Sequence, residues 1–266
     1  MKLTGKASLE NEFYLYSMNG GGPATYTITD GMLEILHGDQ RLEFPYIYNQ
    51  PSFTVWEAIL TEGGEVFLIV SDWPDDEGLY ILSFSEKGSN YAIVGEGLTD
   101  FLVIDGRVYL LYHEEGIYHT YSDNYFNGYS MYALLKWDIA QNEMVRVLPD
   151  ELLFSIDDGN SFCYDGKENL YIFYYGNAGA EHGTFCLKYN LVTGQGKHYK
   201  VPTYYDGSYY YNDRCFGFDG KGIAEFNSEF DVINYTTLDM VGVGEVTGGY
   251  QALAVFKDDQ SYRVYQ

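Results

Sequence analysis

The sequence predicts an all-β fold assembled from repeated four-stranded antiparallel units. The first observation is a hairpin that recurs. It reads Phe101 to Ile104, then Asp105-Gly106-Arg107, then Val108 to Tyr112. It returns as Phe162 to Tyr164, Asp165-Gly166-Lys167 and Leu170 to Tyr174, and again as Phe216 to Phe218, Asp219-Gly220-Lys221 and Ile223 to Phe226. An Asp-Gly pair between two apolar runs is a strong hairpin signal, because glycine supplies positive φ without steric cost. The copies lie roughly 55 residues apart, a period suited to one four-stranded unit. The second observation is that the second run of each copy is almost continuously apolar: Val66 to Val70, Val108 to Tyr112, Leu170 to Tyr174. A half-buried strand alternates, so a continuous run implies burial on both faces. The third is composition. With 29 Tyr, 16 Phe, 30 Gly and only 6 Pro, the chain favours short strands and tight turns.

The elements follow in order. Tyr26 to Asp30-Gly31 to Leu36 is a hairpin of the same shape, and Ala58 to Glu62-Gly63-Gly64 to Val70 is another. Leu79 to Phe84 and Tyr91 to Val94 complete a unit over 52–97. Tyr132 to Asp138 and Met144 to Leu148 complete a second over 100–149. Phe185 to Asn190 and Lys197 to Val201 complete a third over 155–201. A fourth falls near 209–246. Residues 1–50 and 250–266 supply one or two more, the last carrying Leu253 to Lys257 and Tyr262 to Tyr265. A helical reading of 133–148 loses to strands because 144–148 alternates.

The turn Trp137-Asp138-Ile-Ala-Gln141-Asn142 rhymes with Tyr189-Asn190-Leu-Val-Thr193-Gly194. Over most of residues 52–226 the chain resembles the β-propeller superfamily in general. Gly63-Gly64 is kelch-like, but the spaced Tyr and Trp of a kelch repeat do not follow. Trp137-Asp138 is WD-like, but no Gly-His partner precedes it. The Asp-box pattern of sialidases is missing. The expected architecture is one domain over 1–266, a five- or six-bladed β-propeller closed by N- and C-terminal strands, with an antiparallel β-sandwich or barrel as the alternative.

There are 39 acidic and 15 basic residues, a formal charge of −24. So negative a chain repels phosphate backbones and anionic lipid, so neither nucleic acid nor membrane is expected as a partner. A basic protein is, or a neutral glycan. The N-terminus lacks a signal-peptide core and no stretch is long and apolar enough to span a bilayer, so a soluble, cytoplasmic protein is expected. Cys163, Cys186 and Cys215 sit within apolar strand patterns and read as buried thiols. No cofactor, no metal and no catalytic residue is expected. His113, His119 and His182 beside acidic residues, and Asp72 to Glu77 or Asp157 to Asn160, lack metal-ligand spacing.

The propeller resemblance implies that turns joining strands one and two, and three and four, lie on one face. Loops joining strands two and three, and successive blades, lie on the other, where binding is expected. The Asp-Gly turns then belong to the quiet face. Irregular loops over 71–77, 113–129, 155–160, 175–182 and 203–213 belong to the other, and two of them are dense in tyrosine, a residue that gives large, stiff contact area. The expected binding residues are Trp73, Tyr118, His119, Tyr121, Tyr125, His182, Tyr204, Tyr205, Tyr209 and Tyr210. The expected function is a non-catalytic interaction module for a basic protein partner. A glycan-binding protein or glycoside hydrolase, and a structural component of a larger assembly, are the alternatives.

Overall fold

The computed structural model describes the chain except residues 1–10, 18–21, 72–77, 95–96, 119–129, 140, 142, 206, 238–242, 249–252, 258–261 and 266; side chains of some further strand residues, among them 114–118, 158–159, 211 and those of 243–265, are likewise outside the description. The chain is all-β, with one short 3-10 turn at Asp150–Leu152. β1 (Glu12–Ser17), β2 (Gly22–Thr29), β3 (Met32–His37) and β4 (Gln40–Pro45) form a first antiparallel meander. β5 (Thr54–Leu60), β6 (Val66–Ser71), β7 (Tyr80–Ser85) and β8 (Gly88–Ile93) form the second. β9 (Leu98–Ile104), β10 (Arg107–Tyr118), β11 (Ser130–Asp138) and β12 (Glu143–Arg146) form the third. β13 (Phe154–Tyr164), β14 (Asn169–Ala178), β15 (Glu181–Asn190) and β16 (Gly196–Lys200) form the fourth. β17 (Gly207–Tyr211), β18 (Arg214–Phe218), β19 (Gly222–Phe226) and β20 (Val232–Thr237) form the fifth. β21 (Val243–Gly248), β22 (Leu253–Lys257) and β23 (Tyr262–Tyr265) form a three-stranded sheet.

The sheets stack in sequence order, and side-chain parity explains why. In β6, Val66, Leu68 and Val70 pack toward the first sheet with Phe13, Leu15, Leu33 and Phe44. Phe67 and Ile69 point the other way and pack with Phe101, Val103, Val108, Leu110 and Trp137 of the third sheet. In the third sheet Leu102, Ile104 and Leu111 then meet Phe162, Ile172 and Leu187 of the fourth. The other faces of the fourth sheet, Cys163, Tyr171, Phe173 and Cys186, meet Tyr205, Cys215, Ala224, Phe226 and Phe230. Successive residues of a strand point to opposite faces, so a strand between two sheets must be apolar at every position. That is the physical origin of the continuous runs at 66–70, 108–112 and 170–174. The three cysteines are free and buried there.

The first strand of each sheet lies innermost. β1 pairs in parallel with β5, Leu15 opposite Ala58, and β13 touches both β9 and β17. Ser161 Oγ and Ser208 Oγ, 3.0 Å apart, join β13 to β17.

The recurring hairpin keeps its chemistry but not its place. Asp105-Gly106 joins the first two strands of the third sheet, and Asp165-Gly166 those of the fourth. Asp219-Gly220 joins the second and third strands of the fifth, as Asp30-Gly31 does in the first. The assignment of all Asp-Gly turns to one face is therefore corrected for these two. In the fifth sheet the turn between first and second strands is Asn212-Asp213, with φ of 49° and 61°. Positive φ at both residues is the type I′ geometry that matches strand twist. Lys167 reaches across to Asp213 at 2.5 Å, so the equivalent turns of the fourth and fifth sheets meet. Asp165 and Asp219 act as caps instead: Asp165 Oδ1 accepts from the N–H groups of Lys167, Glu168 and Asn169 at 2.8–2.9 Å, and Asp219 Oδ1 from those of Lys221 and Gly222 at 3.0 Å.

His198 on β16 is enclosed at the third–fourth sheet junction. Its Nδ1 lies 2.9 Å from Tyr174 Oη and its Nε2 3.2 Å from the Leu152 carbonyl oxygen. Burial lowers its pKa to about 4, against a smaller opposing effect of the Leu152 carbonyl. The unfolded chain, with an ordinary histidine, binds the proton more tightly. The stabilisation from neutral His198 is therefore full above about pH 6.5 and lost as pH falls toward 4. Replacing His198 with glutamine is expected to flatten that acid limb, measured as the midpoint of urea unfolding at pH 7 and pH 4.5.

Candidate functional site

Three consecutive inner strands carry β-bulges, and each bulge is bordered by a polar side chain. In β5, Val55 faces Val70 and Glu57 faces Ile69, so Trp56 is the extra residue. In β9, Leu98 faces Tyr112 and Asp100 faces Leu111, so Thr99 is extra. In β13, Ile156, Asp158 and Asn160 face Gly176, Tyr175 and Tyr174, so Asp157 and Gly159 are extra. A bulge bends the strand and re-aims its side chains, and bulges gather beside functional sites. Close backbone approach accompanies the β13 bulge: a Cβ on Gly176 would lie 2.0 Å from the Ser155 carbonyl oxygen, so only glycine fits.

The bulged residues converge near the N-terminal ends of the inner strands. Asn160 Nδ2 donates to Asp100 Oδ2 at 2.9 Å. The Phe101 N–H donates to Asp100 Oδ1 at 2.7 Å. Glu57 lies within electrostatic reach of Asp100. Both residues are half-buried as a whole, while their carboxyl groups are enclosed by protein. Side chains enclosed by protein yet still reached by solvent have that combination. Burial pushes the Asp100 carboxyl up to about 7, against the smaller opposing effects of the Phe101 N–H and the Asn160 amide. Burial raises Glu57 well above the usual carboxylate range, and the charge of Asp100 raises it further. Among the described residues no Lys, Arg or His acts on either carboxyl. Among the described residues the Glu57 carboxyl has no hydrogen-bond partner. Beside it Trp56 is 69% exposed, its indole N–H donating to Ser71 Oγ at 2.8 Å. The arrangement offers two carboxyl groups that burial holds toward their protonated forms, one amide and an exposed indole.

The expected binding residues distribute differently. Trp73, His119, Tyr121 and Tyr125 lie outside the described residues, and of Tyr118 only the backbone, paired with Ser130, is described. His182 is exposed, with Nε2 2.9 Å from Asp157 Oδ2 and its ring edge-on to Tyr175. That places it beside the β13 bulge. Tyr204 is half-buried. Tyr205 and Tyr209 are core residues, and the expectation of contact anchors is corrected for both. Tyr205 is 1% exposed and packs edge-on against Phe173 and Phe226. Tyr209 is buried and stacks on Phe216 at 4.8 Å. Tyr210 is half-buried and stacks on Tyr171 at 5.5 Å. Residues 207–211 are strand β17, not loop: Tyr210 packs at the fourth–fifth sheet junction, while Tyr209 stacks on Phe216 on the opposite face.

Glu57 and Asp100 escaped the sequence reading, and Asn160 entered it only as the end of Asp157 to Asn160, weighed for metal-ligand spacing. An isolated charged residue in a strand is accounted for by alternation alone. The signal available was Trp56-Glu57 inside the otherwise apolar run 55–60, and Thr99-Asp100 at the head of 101–104. Among the described residues no three His, Cys, Asp or Glu side chains group as metal ligands. The opposite end of the sheets also has relief: a cavity of about 600 Å³ is lined by the first turns of the second to fourth sheets, including Thr61, Glu62, Glu65, Asp105, Tyr164 and Gly166. No helix among the described residues is long and apolar enough to cross a membrane.

No protein-family model matches the chain, and no curated protein matches it. Among solved structures it is similar over its whole length to the extracellular domain of a B. thetaiotaomicron protein described as a one-component system, at 11% identity and a TM-score of 0.51; it spans 39% of that chain. It is also similar over 88% of its length to 82% of a protein of unknown function from Bacteroides caccae, at 12% identity and a TM-score of 0.47. Over 95% of its length it is similar to 81% of the β-propeller domain of Cps50 (Swd1) from Myceliophteria thermophila, at 7% identity and a TM-score of 0.44. At these identities the likeness concerns fold alone. The four-stranded meanders pack in sequence order, and the general resemblance to β-propellers holds.

Proposed function

We propose that the chain is a non-catalytic interaction module for a basic protein partner, with the axial recess at Glu57, Asp100 and Asn160 as its anchor point. The observation that carries this reading is the enclosed carboxyl pair on which no cation acts among the described residues. Burial holds the empty pair toward its protonated forms, and a positive group that enters draws the carboxyls into their charged forms. The partner supplies that group, and the net charge of −24 speeds its encounter. Trp56 stands as the aromatic contact at the recess, in place of Tyr205 and Tyr209. Trp73 follows β6 in the chain, Tyr118 is the last residue of β10, and His119, Tyr121 and Tyr125 follow it; Trp73, His119, Tyr121 and Tyr125 lie outside the described residues. In this reading the five meanders and the C-terminal three-stranded sheet make a six-bladed ring, and a reducing, cytoplasmic-type compartment suits the three free thiols.

A peptide of alternating Lys and Arg tests the proposal. It is expected to bind more weakly at about 300 mM salt than at about 50 mM, as a screened electrostatic contact must. The double variant E57Q/D100N is expected to lose at least about tenfold in affinity. A control removing two charges at the opposite end, E62Q/E65Q, is expected to lose less than about twofold. Equal losses in the two double variants would overturn the axial site. Capture of a neutral oligosaccharide through Trp56, insensitive to salt and without response to the peptide, would replace the reading by the glycan one.

A further inference from the structure

We infer that the group entering the axial recess is an arginine side chain of the partner, not a lysine; this rests on the basic-partner reading. The acceptors come from three strands. Glu57 on β5 has an unpartnered carboxyl among the described residues. Asp100 on β9 is oriented by the Phe101 N–H at 2.7 Å and the Asn160 amide at 2.9 Å. Asn160 on β13 spends its N–H on Asp100, which leaves its carbonyl oxygen as a third acceptor among the described residues. Several acceptors on separate strands suit a planar fork with five N–H donors better than a compact ammonium with three. Guanidinium is also the more weakly hydrated cation, so an enclosed site costs it less. Trp56, 69% exposed on the bulge next to Glu57, offers a ring face to which both cations are attracted, but only planar guanidinium stacks flat on it. The indole is itself oriented by its N–H bond to Ser71.

The test uses blocked five-residue peptides, Gly-Gly-X-Gly-Gly, with arginine, lysine or citrulline at the centre. Citrulline keeps the planar shape and lacks the charge. Binding is read from the Trp56 indole N–H resonance, assigned by its loss in W56F. Arginine is expected to bind at least about tenfold more tightly than lysine, with citrulline silent. Trp56→Leu, which lacks that resonance and is therefore compared with the parent by titration calorimetry, is expected to reduce the arginine advantage to below about threefold. E57Q/D100N, whose folding is confirmed by thermal unfolding, is expected to abolish both cationic responses. If arginine and lysine bind equally and both are lost in E57Q/D100N, the arginine assignment falls and the basic-partner reading stands. If citrulline binds as arginine does, the charge argument falls. If neither cation moves the Trp56 resonance, or both bind E57Q/D100N unchanged, the axial site falls with the inference.

Discussion

Replacing Tyr205 with alanine is expected to lower stability by about 3–5 kcal/mol, the range for deleting a fully buried aromatic ring. The ring is 1% exposed and sits between Phe173 of the fourth sheet and Phe226 of the fifth. Gly217 marks how tightly it is held, since a Cβ there would lie 2.6 Å from Tyr205 Cδ1. Deletion leaves a cavity whose walls belong to two separate sheets, and sheets fixed by their own ladders cannot close it. Tyr205→Phe keeps the ring and is expected to cost less than about 1 kcal/mol. Urea unfolding of both variants checks this. A Tyr205→Ala chain as stable as the parent would show that the fourth–fifth junction is not packed as described. The comparison matters for function as well. A binding defect in Tyr205→Ala would report a damaged scaffold, whereas one in Trp56→Leu would report the recess.

Asp100→Asn is expected to stabilise the chain at neutral pH while weakening cation binding. In the folded state the carboxyl titrates at about 7 because burial penalises its charge; in the unfolded chain it titrates near the ordinary 3.8. The folded state therefore holds the proton more tightly. Its advantage is full below about pH 4 and is lost as pH rises through 7. Partial solvent access trims the effect, and about 2 kcal/mol of stability is expected to disappear between pH 4 and pH 8. Asparagine has no charge to form, so Asp100→Asn is expected to show no such fall. Its amide can still pair with Asn160 if that side chain turns its oxygen inward. The measurement is the difference in unfolding free energy between variant and parent across pH. A constant difference would mean that Asp100 ionises freely and the recess is not the low-dielectric site inferred. The sign is opposite to that of His198, whose neutral form is favoured by folding, so the two groups act on the pH profile in opposite directions. A residue that destabilises the resting fold and strengthens binding is the pattern of a functional site.

The architecture was legible because its signals are local. Val66 to Val70 announced burial on both faces, and the cores on either side of β6 have that parity. The expected units at 52–97, 100–149 and 155–201 match sheets at 54–93, 98–146 and 154–200. The phase of the last unit was not legible. Asp219 caps its turn as Asp165 does, so the two hairpins look alike, yet one joins second and third strands and the other first and second. The tyrosines of 204–211 misled for a related reason. Aromatic density describes a binding loop and a packed inner strand equally well, and composition carries no direction. Glu57 and Asp100 were hidden because one charged residue in a strand is the ordinary sign of a solvent-facing position.

Strand positions, turn chemistry and two-faced burial are written in neighbouring residues, through the two-residue period and the φ angles that turns demand, and the sequence alone determined them. The tertiary structure decided which side chains meet at the axis. Glu57, Asp100 and Asn160 lie far apart along the chain and are brought together by stacking three sheets and bulging three inner strands. No local pattern encodes that meeting, and the enclosed carboxyl pair that follows from it exists only in the assembled fold.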